Sequence, residues 1–368
     1  MTPIKTAVLG TGMSAFIFHF PFLESSPEKY EIYAAWERRA TPEHSKARNA
    51  YPNVKVYTQL DELLADSNVE LVVVSLPPDA HVAAVTAALN AGKHVICEKP
   101  FTPTYEEAKG LFELAKSKNL VLAIYQNRRW DGDFLTAKSV IDSGRLGEVV
   151  EFESHIDRFR LFRKGNWKDV PSPGSGLVYD LGAHLIDQAV LLFGVPESVT
   201  GKVFCQRQIP PLEVEDNFTI VLHYPAKENK LPVEVILRST SISCGVAFRY
   251  CIKGTRGTFL KFGADPQEGQ LNKGMKPSEG GYGQESSQDY AKLWTVPVDA
   301  DVKALPAPTF STVPTISGNY LAFYEEVYNV LSGKSSAISV LPEQVLTVEK
   351  IIEAAYKSSE TSASVKIA

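Results

Sequence analysis

Few architectures accept the alternation of short apolar runs and helical stretches that fills residues 4–127. The runs are "TAVLG" (6–10), "YEIYAAW" (30–36), "VELVVVSL" (69–76), "KHVIC" (93–97) and "LVLAIY" (120–125). Between them lie "LDELLAD", "HVAAVTAALNAG" and "TYEEAKGLFELAKSKN"; the last two carry apolar residues at i, i+3 and i+4 and stop at Gly or Asn. Short continuous apolar runs suit strands covered on both faces, and strand–helix alternation predicts a parallel, doubly wound sheet. Such sheets meet their ligands at the C-terminal ends of the strands. There the chain reads "HVICEKPF" (94–101), so Lys99 is either a surface charge or a reagent.

Beyond residue 150 the pattern changes. "EVVEFESHIDRFR", "SVTGKVFCQRQ", "DNFTIVLHYP", "PVEVILRSTSIS" and "FRYCIKGTRGTFLKFG" are long, alternating and separated by turn residues, which predicts one mostly antiparallel sheet. Helices are expected around 131–143, 178–193, 319–332 and 342–358, and a long surface loop over 263–290, rich in Gly, Gln, Ser and Glu. A chain of 368 residues exceeds one ordinary core. The expected fold is therefore α/β: a Rossmann domain over 1–127, then an α+β domain on an open, mostly antiparallel sheet over 128–368.

The net charge of −5 and the lack of a large Lys/Arg cluster argue against nucleic-acid binding. Cys97, Cys205, Cys244 and Cys251 form no C-x-x-C pair, which predicts neither a metal site nor a disulfide framework and suits a reducing compartment. The start "MTPIKTAVLGTG" is no signal peptide, and the apolar stretch "AFIFHFPFL" (15–23) falls far short of the roughly 20 residues of a membrane span. No membrane association is expected, and the chain is expected to be cytoplasmic.

"VLGTGMSA" (8–15) is a G-x-G-x-x-A stretch between a strand and a helix. Gly10 permits the tight turn, Gly12 lets the backbone approach a pyrophosphate, and Ala15 leaves room for helix–strand packing. The second run ends "AAWERRA". Glu37 stands where a carboxylate takes the ribose hydroxyls of NAD, whereas Arg38 and Arg39 suit the 2′-phosphate of NADP; two cations against one carboxylate favour NADP(H) and leave NAD(H) open. In "GSGLVYDLGAHLIDQAVLLFG" (174–194), helical spacing puts Asp180 and His184 on one face, with Asp187 three residues on. Such a His can be a general acid or base near neutral pH, or it can merely tie a helix to the sheet. His81, after "SLPPDA", reads either as a cleft residue or as a helix start; His19 in "FHFPF" reads as structural; Trp167 in "GNW" faces either the cleft or the core.

"GTGMSA", "SLPPDAH", "EKP" and "GSGLVYDLGAHLIDQ", in this order, resemble the glucose–fructose oxidoreductase / inositol dehydrogenase / rhizopine-catabolism family (Gfo/Idh/MocA) over nearly the whole chain. "YQNRRWDGDFLTAK", "FESHIDRFR" and "KFGADPQE" further resemble its NADP-dependent scyllo-inositol dehydrogenase-like members. The resemblance implies a hydride-transferring oxidoreductase acting on a sugar, cyclitol or related polyhydroxy ketone. It implies catalytic roles for Lys99, Asp180 and His184, and cofactor contacts from Gly10, Thr11, Gly12, Met13, Glu37, Arg38, Ser75, Pro77, His81, Glu98, Lys99 and Trp167. It also implies a homodimer formed through the second-domain sheet. The rival readings are a dinucleotide-binding sensor of the same fold and a dihydrodiol or aldose dehydrogenase.

Overall fold

A computed structural model describes residues 2–228, 230–246, 248–297, 303 and 306–367. The chain packs into two compact units. One comprises Met1–Asn127, Gln267–Tyr282 and Tyr320–Leu346; the other comprises Arg128–Pro266, Gly283–Asn319 and Thr347–Ala368.

The first unit holds six parallel strands: β1 (Ile4–Leu9), β2 (Tyr30–Trp36), β3 (Lys55–Tyr57), β4 (Leu71–Val74), β5 (His94–Cys97) and β6 (Leu122–Ile124). Their order is β3-β2-β1-β4-β5-β6, with every neighbouring pair parallel. The order reverses between β1 and β4, so the crevice beyond their C-terminal ends is where this fold receives ligands. All four residues of β4 are fully buried, as expected of a strand covered on both faces. Helix Tyr105–Ser117 begins with a capping box: Thr104 accepts from the Glu107 amide while the Glu107 carboxylate accepts from the Thr104 amide.

The second unit is built on nine strands: β7 (Val149–His155), β8 (Ser198–Phe204), β9 (Asn217–Tyr224), β10 (Val233–Thr240), β11 (Phe248–Gly254), β12 (Gly257–Phe262), β13 (Ala291–Thr295), β14 (Thr309–Val313) and β15 (Val365–Lys366). Their order is β14-β13-β12-β11-β7-β10-β9-β8-β15, antiparallel throughout except for the β7–β10 pair. Alternation along β9 and β10 sends Phe218, Ile220, Leu222, Val235 and Leu237 to one face. There they pack with Leu185, Ile186 and Ala189 of helix Ala183–Phe193 and with Val348, Ile351, Ile352 and Ala355.

Two local expectations are corrected. Residues 263–290 are not a plain surface loop, because helix Gln267–Asn272 buries Gln267 and Leu271. Burial of Gln267 is offset by the bond its side-chain oxygen accepts from the Tyr320 amide at 2.8 Å. The helix expected over 178–193 is also not uniform. It opens with a π turn, Val178–Gly182, and becomes an α-helix only at Ala183. The i, i+4 spacing assumed for Asp180 and His184 is therefore interrupted.

Candidate functional site

In the first unit β1 runs straight into Gly10, whose φ of +97° few side chains tolerate. A Cβ there would also lie 2.5 Å from the Ser75 carbonyl oxygen. Gly12 differs: a Cβ on it would meet no heavy atom within 4 Å. The space beside its backbone is open, which fits close approach by a phosphate group and so fits a dinucleotide. Thr11 stands between them, and Met13 follows, 63% exposed.

At the end of β2, Glu37 is already engaged. Its carboxylate accepts from the Ser45 hydroxyl at 2.7 Å and from the Lys46 and Ala47 amides at 3.0 and 3.2 Å, closing the start of helix Lys46–Ala50. Burial works to raise its pKa, but these donors hold it below the usual carboxylate value. Arg38 and Arg39 are exposed beside it. An open pocket of about 350 Å³ follows them, lined by Ala40, Thr41, Pro42, Arg48, Val56 and Thr58.

Beyond β4, Ser75 is 7% exposed, and its hydroxyl has no hydrogen-bond partner among the described residues. Pro77 precedes a 3₁₀ turn, and His81 is the first residue of helix His81–Asn90. The fully buried His81 ring lies between carbonyls, with Nε2 2.9 Å from Leu76 and Nδ1 3.0 and 3.1 Å from Pro100 and Phe101. It thereby ties the segment after β4 to the segment after β5. Burial pushes its pKa down, against the pull of those carbonyls.

Beyond β5, Glu98 is buried and Lys99 half-buried, and the Lys99–Pro100 peptide bond is cis. One carboxylate oxygen of Glu98 accepts from the Ser14 hydroxyl and faces His19 Nε2 at 3.0 Å; the other accepts from the Lys99 amide at 3.1 Å. Burial acts to raise the Glu98 pKa, but His19, Lys99 and Ser14 together bring it down to about 2. Thus the glycine loop and Lys99 meet on one carboxylate. Beyond β6, Tyr125 and Gln126 are nearly fully buried; the Tyr125 hydroxyl and the Gln126 side-chain oxygen have no hydrogen-bond partner among the described residues. Both stand at the head of "YQNRRWDGDFLTAK", directly after the apolar strand, although the sequence reading gave neither a role.

In the second unit the turn before the π segment depends on Gly176, at φ +94°. A Cβ on it would fall 2.2 Å from the Glu215 carboxylate. That buried carboxylate accepts from the Val178 amide at 2.9 Å and the Tyr356 hydroxyl at 2.7 Å, while burial pushes its pKa up. Asp180 pairs with Lys168 Nζ at 2.5 Å, and the same ammonium stands 5.3 Å from the centre of the Trp167 ring. Trp167, Lys168 and Asp180 are thus brought together. His184 is 3% exposed, one turn before Asp187 and Gln188. Asp187 takes Arg129 through two bonds, at 2.6 and 2.8 Å, and Gln188 binds the Arg128 carbonyl, the Arg249 guanidinium and the Tyr250 hydroxyl. These contacts fix the helix that carries His184. No cluster of three or more metal-ligating side chains occurs among the described residues, and no described helix is long and apolar enough to cross a membrane.

Comparison with known proteins agrees over both units. An oxidoreductase-family model for the NAD-binding Rossmann fold matches residues 4–126, and the model for the C-terminal alpha/beta domain matches residues 138–367. An uncharacterized oxidoreductase of Schizosaccharomyces pombe is 70% identical over 367 residues, covering all of both chains. The scyllo-inositol 2-dehydrogenase (NADP(+)) IolW of Bacillus subtilis is 35% identical over 357 residues, 97% of this chain and 94% of that one. Among solved structures, the oxidoreductase yvaA from Bacillus subtilis superposes with a TM-score of 0.90 at 33% identity, covering 100% and 99% of the two chains.

Proposed function

The chain belongs to the Gfo/Idh/MocA oxidoreductase family, and on that footing we propose that it transfers hydride between NADP(H), in preference to NAD(H), and a sugar, cyclitol or related polyhydroxy ketone. The observation that carries this reading is the convergence of Ser14, from the glycine loop, and Lys99, from the end of β5, on the Glu98 carboxylate. It ties the glycine loop to the main chain of Lys99, whose amine is suited to a reacting oxygen. The bound nicotinamide supplies or accepts the hydride. The Lys99 ammonium is suited to stabilise negative charge developing on a substrate oxygen, and His184 is suited to general acid–base work. Asp180 is assigned a catalytic role as well, with Lys168 balancing its charge.

The cofactor preference rests on β2. Glu37 is occupied as a helix cap, whereas Arg38 is exposed and suited to a 2′-phosphate. The relative named for scyllo-inositol and NADP(+) supports both this choice and a cyclitol substrate. The cysteines Cys97, Cys205, Cys244 and Cys251 are all unpaired, which supports a cytoplasmic setting. Exposed Phe262 and Phe310 on the nine-stranded sheet support a homodimer formed through it.

Fluorescence titration with NADPH and NADH side by side tests the reading. Tighter NADPH is expected. Tighter NADH would overturn the preference and require Glu37 to leave its cap, and binding of neither would sink the oxidoreductase reading for this chain.

A further inference from the structure

His19 reads in the sequence as a structural residue, and its surroundings give it a more specific task. It is fully buried in the π turn Ala15–His19, directly after the glycine loop, and both ring nitrogens are engaged. Nε2 faces a Glu98 carboxylate oxygen at 3.0 Å, and Nδ1 faces the Tyr324 hydroxyl at 2.6 Å. Its ring packs on Tyr125 at 4.9 Å between centroids, and Tyr324 stacks on Phe22 at 5.7 Å with planes 5° apart. The imidazole therefore has little freedom to turn.

A carboxylate only accepts hydrogen bonds, so the proton between the two groups sits on Nε2. In the neutral ring Nδ1 then accepts from Tyr324. In the imidazolium Nδ1 donates, and the Tyr324 hydroxyl has the Phe18 carbonyl at 3.3 Å to turn to. Either protonation state of His19 leaves the donor to Glu98 in place. The carboxylate is faced by His19 and Ser14, by Lys99 from its own strand end, by Tyr324 from helix Leu321–Leu331, by Tyr125 beyond β6 and by His81. A buried carboxylate is costly unless paired and hydrogen-bonded. His19 offers the Ser14-bound oxygen both a hydrogen bond and a side chain able to carry positive charge.

We propose that His19, backed by Tyr324, is a positioning residue for Lys99 that acts through Glu98. It keeps the carboxylate ionised and turned so that one oxygen holds Ser14 of the glycine loop while the other holds the Lys99 amide. The proposal rests on the reading of Lys99 as the residue at the reacting oxygen.

The test compares the whole protein with its His19→Phe, His19→Gln and Tyr324→Phe variants, using two measurements that need no substrate. Carboxyl-carbon NMR, assigned with Glu98→Gln, follows Glu98 through acid titration. Trace labelling with acetic anhydride, read by mass spectrometry, follows the reactivity of the Lys99 amine. In His19→Phe the Glu98 titration is expected to move up from about 2 into or above the ordinary carboxylate range. The Lys99 labelling rate is expected to change by about threefold or more, with His19→Gln restoring much of it because its amide can donate to Glu98. Turnover is expected to fall about tenfold or more with NADPH affinity changed far less. Should His19→Phe fail to fold, Tyr324→Phe keeps the ring, removes only the hydroxyl and is expected to shift both measurements in the same direction by less. An unchanged Glu98 titration and an unchanged Lys99 labelling rate in a folded variant would overturn the proposal. Full turnover in Lys99→Met would instead overturn the role given to Lys99, leaving titration and labelling to judge His19 by themselves.

Discussion

Alanine at Gly12 and alanine at Gly10 are expected to fail in opposite ways, because one position is limited by the protein and the other by its ligand. At Gly12 the backbone lies outside the left-handed region, and an added Cβ finds no atom within 4 Å. Folding has nothing to resist, and restricting the unfolded chain makes the change worth about 0.4–1 kcal/mol of added stability. At Gly10 the φ is +97° and the new carbon would lie 2.5 Å from the Ser75 oxygen and 3.0 Å from Leu76 Cδ2. The left-handed backbone alone costs about 1–2 kcal/mol, and forcing β1 and β4 apart brings the total to about 3 kcal/mol. Urea unfolding is therefore expected to show Gly10→Ala clearly destabilised and Gly12→Ala level with the parent or above it. NADPH titration is expected to show Gly12→Ala weakened by about tenfold or more, which is about 1.4 kcal/mol, because its methyl occupies the place the pyrophosphate needs. A folded Gly12→Ala protein that binds NADPH as well as the parent would refute this: the cofactor would not then lie against the glycine loop.

Two further outcomes are expected. Asp187→Ala leaves the buried Arg129 guanidinium without its two-bond partner and should cost about 3–5 kcal/mol in urea unfolding, whereas loss of under about 1 kcal/mol would mean the pair holds little. Glu98 has its pKa lowered on folding from 4.5 to about 2, so it stabilises the protein above pH 4.5 and loses that contribution as pH falls towards 2. At about 1.4 kcal/mol for each pH unit this amounts to about 3 kcal/mol, and acid unfolding of Glu98→Gln should lack that much of the parent's pH dependence between 4.5 and 2.

Apolar runs made β1, β2, β4, β5 and β6 readable, most plainly in β4, which is buried at every residue. β3 escaped notice: it is three residues long, opens on an exposed lysine and owes its place to pairing with β2. β14 is exposed at four of its five residues and therefore carries no hydrophobic alternation. The sequence placed Lys99 at a strand end, where the structure has it, because strand ends are local features. The partners of His19 lie 79 and 305 residues away, so no window of sequence joins them. Asp180 misled for a related reason. Its spacing to His184 predicts a regular helix, whereas the structure has a π turn there, with Glu215 holding the Val178 amide, and pairs Asp180 with Lys168, twelve residues earlier.

The engagement of Glu37 bears on how readily such a chain changes its preferred coenzyme. In many Rossmann proteins the acidic residue after the second strand is free to serve a ribose, so the choice can drift with one or two surface substitutions. Here the same carboxylate secures Ser45 and two amides at the head of Lys46–Ala50. Recruiting it to a ribose would release three hydrogen bonds worth about 1 kcal/mol each. Evolvability at this position is thus tethered to local stability. A lineage or an engineer seeking to place that carboxylate on a ribose would first need a substitute anchor for the helix.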